Sequence, residues 1–341
     1  MPSRPKSSRV DTAFHATLVL AGLGVATVLA GVAWEVLSLS GEALSKGGIG
    51  FLTGTTWDPV TEEFGALPAL YGTLLTSAVA LVIAVPLGIG SAVFLSEIAT
   101  SRVATVVGVL VDLLAAIPSV IYGLWGLFVL APLLREHVQP AVQAVFGDFP
   151  LFAGTPLGVG YGTAGLLLAI MVIPVITSVS REVLRAVPET QREAATALGA
   201  TRFEVIRGTV LPYARRGLVG AVVLGLGRAL GETMAVTMVI GNRYDISASL
   251  FAPGYTLAAV IANEFSEAFS PHYLSALAGL AVVLLGTTLI LNAGARLLVR
   301  GVATGGARKN GDRHRFSRKS VSVPISVPSS DPGKEAPDGR P

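Results

Sequence analysis

The sequence contains no cysteine. Disulfides, thiolate metal sites and cysteine nucleophiles are thereby excluded. Charge is scarce as well. Asp, Glu, Lys and Arg make up 14% of the 341 residues, against about 25% in an ordinary soluble chain. The four histidines, at 15, 137, 272 and 314, show no metal-ligand spacing and read as structural or surface residues. No GxxxxGKS or GxxxxGKT run occurs, so the chain carries no P-loop of its own. Any nucleotide site must belong to another chain, and no cofactor or metal is expected.

What is present is apolar. Hydrophobic residues make up 52% of the chain, and the mean hydropathy is +0.66. Apolar runs of spanning length, about 20 residues, fall at 14–38, 64–96, 103–134, 149–180, 216–241 and 271–296. The first follows a basic flank but no clean cleavage site, and reads as a retained helix. The fold class expected is all-α, a polytopic bundle of six transmembrane helices. Residues 246–263 are also uncharged, but Pro253-Gly254 interrupts them. They read as a partly inserted hairpin or as an outer loop packed on the bundle. Gly158-Val159-Gly160-Tyr161-Gly162 echoes a potassium filter, but no pore helix of matching length precedes it, and a glycine-rich helix entry is the better reading.

The few charges set the orientation. Three basic residues lie in 1–13, seven in 181–216 and eight in 296–319, while 39–63, 135–148 and 242–270 hold one each. Six spans with both termini in the cytoplasm satisfy every long loop. The domains expected are an N-terminal tail at 1–13, a transmembrane domain at 14–300 with a cytoplasmic loop at 181–216, and a basic, Ser/Pro-rich tail at 301–341 that has too little apolar surface to fold alone.

Charges inside spans are costly and mark function by default. Arg228 lies about 12 residues into the fifth run, roughly 18 Å deep in a 30 Å core. Glu232 follows at i+4, on the same face of a continuous helix. A guanidinium suits a tetrahedral oxyanion, and a neighbouring carboxylate keeps the anion from being trapped. The plainer alternative is an internal salt bridge. Asp112, alone in the third run, reads as structural: a cap on a broken helix, or a partner of Arg102 or of an arginine from another span.

The 181–216 loop reads as two short helices, 189–198 and 201–210, around Gly199. The second is expected to stop at Leu211-Pro212. The pair makes a knob suited to a partner's groove, or else an ordinary amphipathic connector. Glu193, Ala194 and Ala195, then three residues, Gly199, and later Leu211 and Pro212 resemble the EAA loop of ABC importer permeases. That family pattern runs EAA, three residues, G, nine residues, I, any residue, L, P. Here Thr209 stands at the isoleucine, with Val210 beside it. The stretches 116–126 (AIPSVIYGLWG) and 227–235 (GRALGETMA), with Trp57-Asp58-Pro59 and 64–68 (FGALP), resemble the phosphate-specific branch of that family, and its PstC-type rather than PstA-type subunit.

The resemblance implies a type I ABC importer permease fold in a bacterial cytoplasmic (inner) membrane. It implies a coupling loop seated in an ATPase cleft. The partners implied are a PstA-like second permease, two PstB-like ATPase subunits, an extracytoplasmic phosphate-binding protein, inorganic phosphate and membrane lipid, with no nucleic acid. The chain itself is then not an enzyme. Molybdate or sulfate is the alternative cargo, since any oxyanion needs a cationic path. A secondary transporter would show internal repeats, and none is evident.

Because the chain lacks cysteine, a single Ala195→Cys reports topology directly. Membrane-impermeant thiol reagents should label it only from the cytoplasmic side. Labelling from outside would overturn both the orientation and the coupling role.

Overall fold

A segment crossing hydrocarbon must satisfy its own backbone hydrogen bonds, which a helix does residue by residue. The computed structural model of the chain is accordingly almost all helix, and it describes residues 9–147 and 149–311. The chain divides into a unit of residues 1–297 and a unit of 298–341. In the second, 298–311 are helical. The rest of the expected C-terminal tail, and residues 1–8 of the N-terminal one, lie outside the described residues.

The elements run in order as α1 (Arg9–Leu39), α2 (Gly41–Thr53), β1 (Trp57–Asp58), β2 (Glu63–Phe64), α3 (Leu67–Val93), α4 (Ser101–Ala116) and α5 (Ser119–Trp125). Then follow α6 (Ala131–Leu133), α7 (Gln139–Phe146), α8 (Tyr161–Arg185), α9 (Glu189–Ala197), α10 (Arg202–Val205) and α11 (Leu211–Gly231). α12 (Met234–Ile240), α13 (Leu257–Glu264) and α14 (Pro271–Gly311) complete the fold. The two short strands pair antiparallel, Trp57 opposite Phe64.

Six helical stretches among the described residues are long and apolar enough to span: Ala13–Leu39, Leu67–Ile98, Ser119–Phe146, Tyr161–Arg185, Arg202–Gly231 and Pro271–Leu297. The count agrees with the sequence. Two boundaries do not. The expected third run, 103–134, is broken at Ile117-Pro118. Proline disfavours the helical conformation in the residue before it, so Ile117 is extended, at ψ 130°. The expected fifth run, 216–241, begins earlier and is interrupted. Its helix starts at Arg202 and ends at Gly231, with Glu232 extended at ψ 129°.

Pro212 does not stop the second loop helix, because a π turn over Ile206–Val210 precedes it. The Leu211 N–H bonds back to the Ile206 carbonyl. Widening the turn moves the carbonyl that the proline ring would strike. The same device, a π turn and then proline two residues on, recurs at Gly126–Leu130 before Pro132 and at Leu134–Val138 before Pro140.

The bundle is built on α8, whose buried face includes Tyr161, Leu167, Leu168, Met171, Val172 and Ile176. α3 lies along it with a stripe of small residues at intervals of four: Gly72, Thr76, Ala80, Ala84, Gly88 and Ala92. Small residues let helix backbones approach where lipid supplies no hydrophobic drive. A Cβ on Gly88 would stand 2.8 Å from Ile176 Cγ2. α11 packs antiparallel on α8 as well, with Gly225 against Val172 and Ile176 and Gly217 against Val183. α1 packs no residue of its span window inside the bundle.

Residues 246–263 form no helical hairpin. They are a loop followed by α13, folded against the end of the bundle where α8 begins. Its backbone is tied down throughout: Tyr161 N–H donates to Ala252 O (3.1 Å), Gly162 N–H to Leu250 O (2.7 Å) and Gly254 N–H to Ile240 O (3.0 Å). Hydroxyls of Tyr71 and Tyr161 donate to Ser247 O and Asp245 O, each at 2.9 Å. Gly158 and Gly160, at φ 80° and 150°, turn the chain into α8, so the glycine-rich run is a helix entry.

The tightest approach of a glycine to backbone is at Gly72, where an added Cβ would lie 2.0 Å from the Tyr255 carbonyl oxygen. Overpacking of that kind costs about 1–3 kcal/mol or more. Gly72→Ala should therefore lower the yield of folded, detergent-stable subunit. Gly90→Ala, where nothing lies within 4 Å of the new methyl, should leave it unchanged. Equal yields would show that the seam is not close-packed.

Candidate functional site

Arg228 sits three residues before the end of α11. Gly225 meets α8 at Val172 and Ile176, so Arg228 stands level with the middle of Tyr161–Arg185. Its side chain is half-buried. Its Nε is buried without a hydrogen-bond partner, and no carboxylate among the described residues comes within 4.0 Å of its guanidinium. It lies within electrostatic reach of the Tyr122 hydroxyl, which itself donates to Leu114 O at 2.9 Å.

Glu232 departs from the i+4 expectation. The helix has ended, and Thr233 at φ −114°, ψ −67° turns the chain again. The Glu232 carboxylate instead accepts from Ala235 N–H at 3.4 Å, at the start of α12. The internal salt bridge weighed as the plainer alternative is therefore not formed among the described residues. The break leaves the arginine beside a helix end and the carboxylate beside a helix start.

The second expected site is the loop between α8 and α11. α9 runs from Glu189 to Ala197, with Pro188 before it, and buries no residue. Glu193 and Ala194 are exposed, and Ala195 is half-buried. Gly199 adopts φ +86°, with open space around it. The glycine is thus required by its left-handed backbone, not by crowding at the turn. Thr201 and Glu204 then form a capping box that starts the next helix. Leu211 and Pro212 lie not in the knob but at the start of α11. Two large apolar side chains protrude from the knob, Leu198 at 89% exposure and Phe203 at 67%.

Sequence reasoning missed the side chain that holds this loop. Arg192 Nε and Nη2 bond Glu97 at 3.3 and 2.9 Å. Its Nη groups also bond Val187 O at 2.6 Å and Leu184 O at 3.0 Å, with Glu189 at 3.2 Å. Hydrogen bonding to Glu97 holds the Arg192 pKa above its ordinary value. The Arg202 guanidinium donates to the Glu97 carbonyl. Glu97 lies in the π turn that closes the second span, 95 residues before Arg192, and nothing local in sequence links the two. A pocket of about 560 Å³ remains beneath α9, lined in part by Ser96, Glu97, Arg185 and Arg192.

Asp112 is likewise paired by the fold. It accepts from Ser178 Oγ at 2.8 Å and from Arg181 Nη2 at 3.3 Å, both on α8. Arg181 belongs to the helix rather than to the loop.

Residues 84–304 match the family of binding-protein-dependent transport system inner membrane components. The chain is 50% identical over 293 residues to the phosphate transport system permease protein PstC of Mesorhizobium japonicum, covering 85% of this chain and 90% of that one. It is 46% identical over 296 residues to PstC of Pasteurella multocida, covering 85% and 92%. Among solved structures, a chain of a bacterial alginate ABC transporter in complex with its periplasmic protein aligns with TM-score 0.55 at 16% identity, over 86% of this chain and 99% of that one. That likeness carries the fold alone. The six apolar spans and the extent of these matches make this chain an integral membrane protein of the binding-protein-dependent transport system inner membrane component family, in its PstC phosphate permease branch.

Proposed function

We propose that the chain is the PstC-type permease subunit of an ATP-driven importer of inorganic phosphate. The observation that carries this reading is 50% identity to a phosphate transport permease across 85% of the chain. The geometry supports it: a guanidinium at mid-span without a carboxylate partner among the described residues, and an exposed helical knob at the other end of the same helix. In this reading the chain pairs with a PstA-like permease. Two PstB-like ATPases receive the coupling loops on the cytoplasmic side, where both termini also lie. An extracytoplasmic phosphate-binding protein delivers the anion from above. α9, with Glu193, Ala194, Ala195 and Gly199, enters the ATPase cleft, and Leu198 and Phe203 add apolar contact. Leu211 and Pro212 begin the helix that carries this movement to Arg228 and Glu232.

A phosphate leaving water needs compensation at mid-membrane, since an unpaired buried anion is strongly disfavoured. Arg228 supplies it with planar, charge-assisted hydrogen bonds. Glu232 at the helix break keeps the site from holding the anion too tightly. The test of cargo is uptake of labelled phosphate with excess sulfate or molybdate as competitor. Competition by either oxyanion as strong as that by unlabelled phosphate would overturn the phosphate assignment.

Arg228→Gln should lower phosphate uptake per assembled complex by tenfold or more, the scale of a lost charged hydrogen bond, while ATP hydrolysis persists. Glu232→Gln should do less, because the amide oxygen still reaches Ala235 N–H. Since no ion pair joins the two, the double change should not restore transport. Normal uptake in the double variant would remove Arg228 from the path.

Gly199→Leu should weaken ATPase association through its backbone, costing about 1–2 kcal/mol at positive φ. Gly199→Asn, which tolerates that conformation better, should weaken it less. Equal association of both variants with the ATPase, measured by co-purification, would exclude the backbone explanation.

A further inference from the structure

The cluster of Asp112, Ser178 and Arg181 has no part in the path just described. It lies between α4 and α8, toward the coupling loop. The antiparallel packing of Gly225 on Val172 and Ile176, and of Gly217 on Val183, sets Arg228 level with about residue 171. Arg181 is ten residues further along α8, roughly 15 Å closer to the cytoplasm. That is too far for one phosphate to touch both arginines. Tyr122, near Arg228, donates its hydroxyl to Leu114 O, two residues after Asp112 on the same α4.

The cluster is built, and it is not fully spent. The Arg181 side chain is 10% exposed, while that of Asp112 is 50% exposed. The guanidinium lies directly on the α4 backbone, and a Cβ at Gly108 would be 1.7 Å from its Nη1. Nη2 donates to Asp112 Oδ2 at 3.3 Å, but the buried Nε has no partner. Asp112 keeps a second anchor, Ser178 Oγ at 2.8 Å. The other charges facing the guanidinium and its neighbours are Glu182, at 4.0 Å from Arg181, and Arg185, at 4.0 Å from Glu182. A half-exposed aspartate facing lipid is costly at this depth, so its open side faces water or protein.

Resting on the phosphate-permease reading above, we propose that Ser178, Asp112 and Arg181 form a second, inner oxyanion station of the translocation path. With no anion present, Asp112 neutralises Arg181. An arriving tetrahedral oxyanion takes the side-by-side Nε and Nη2 donors in the fork geometry suited to such oxygens. Asp112 is released from Arg181 but stays on Ser178. Its negative charge, with that of Glu182, then favours return of the ion pair and expulsion of the anion toward the cytoplasm. The pair is thus a neutral gate that the cargo itself opens.

The experiment uses the assembled complex, with its partner chains made cysteine-free, carrying Ser178→Cys. During ATP-driven turnover a small anionic thiol reagent should modify this cysteine. Saturating inorganic phosphate should slow the modification about tenfold, the scale of occupying a charged hydrogen-bonding site. In a parallel preparation, Arg181→Lys keeps the charge but loses the planar fork. It should lower phosphate uptake about tenfold per assembled complex while ATP hydrolysis continues. A plain structural latch predicts no protection by phosphate, and uptake that follows the amount of folded complex. That pattern, or an unreactive cysteine, would overturn the station. A wild-type complex that takes up sulfate or molybdate instead of phosphate would overturn the underlying reading and is scored separately.

Discussion

The constraint on which this fold depends is that hydrocarbon offers no water to an unpaired backbone group. A straight helix meets it without help. This bundle departs from straight helices at Ile117-Pro118 and at Glu232-Thr233, and in each place a side chain supplies what the backbone has lost. The Tyr122 hydroxyl takes the Leu114 carbonyl. The Glu232 carboxylate takes the Ala235 N–H, and Thr233 Oγ1 donates to Gly231 O at 3.3 Å. Both breaks lie near Arg228 in the fold: Tyr122 is within its electrostatic reach, and Glu232 and Thr233 follow it by four and five residues in the chain.

Close packing makes those breaks tolerable. Lipid is as apolar as a leucine side chain, so helices in a membrane gain little from mere burial and must gain from contact. The small-residue stripe of α3 and the glycines of α11 bring both backbones onto α8. Gly123, whose Cβ would stand 2.6 Å from Met238 Sδ, does the same between the two short helices that follow the breaks, α5 and α12.

How much of this was legible follows from what kind of signal each feature leaves. Apolar runs gave the number of spans, because hydropathy is a property of composition. The expected coupling segment coincided with an exposed helix and a left-handed glycine, because caps and turns are encoded within a few residues. The breaks were visible as Pro118 and as a Gly-Glu-Thr step, but run length alone did not distinguish a kink from a stop. Pro212 failed in the opposite sense, since a π turn absorbs a proline that local rules treat as a terminator. The pairings Arg192–Glu97 and Arg181–Asp112 lay beyond reach. Each joins residues that only tertiary packing brings together, and neither the charge nor its partner carries a mark of the other.

The arginines show how the fold sorts charge by use. In Arg192, the Nε and both Nη nitrogens are hydrogen-bonded, two of them to the single carboxylate of Glu97. Its position follows from those bonds, and it is a clamp. Arg181 has one hydrogen-bonded carboxylate, a second at 4.0 Å and a spare buried Nε. Arg228 has no carboxylate within ion-pair reach among the described residues. A buried cation with every donor occupied cannot accept cargo without losing more than it gains. One with donors left over is poised to bind an anion that brings matching acceptors. Going from the coupling loop toward the membrane centre, the guanidinium groups pass from filled to open. In the proposed reading, that gradient separates the parts of this subunit that transmit force from the parts that meet the anion.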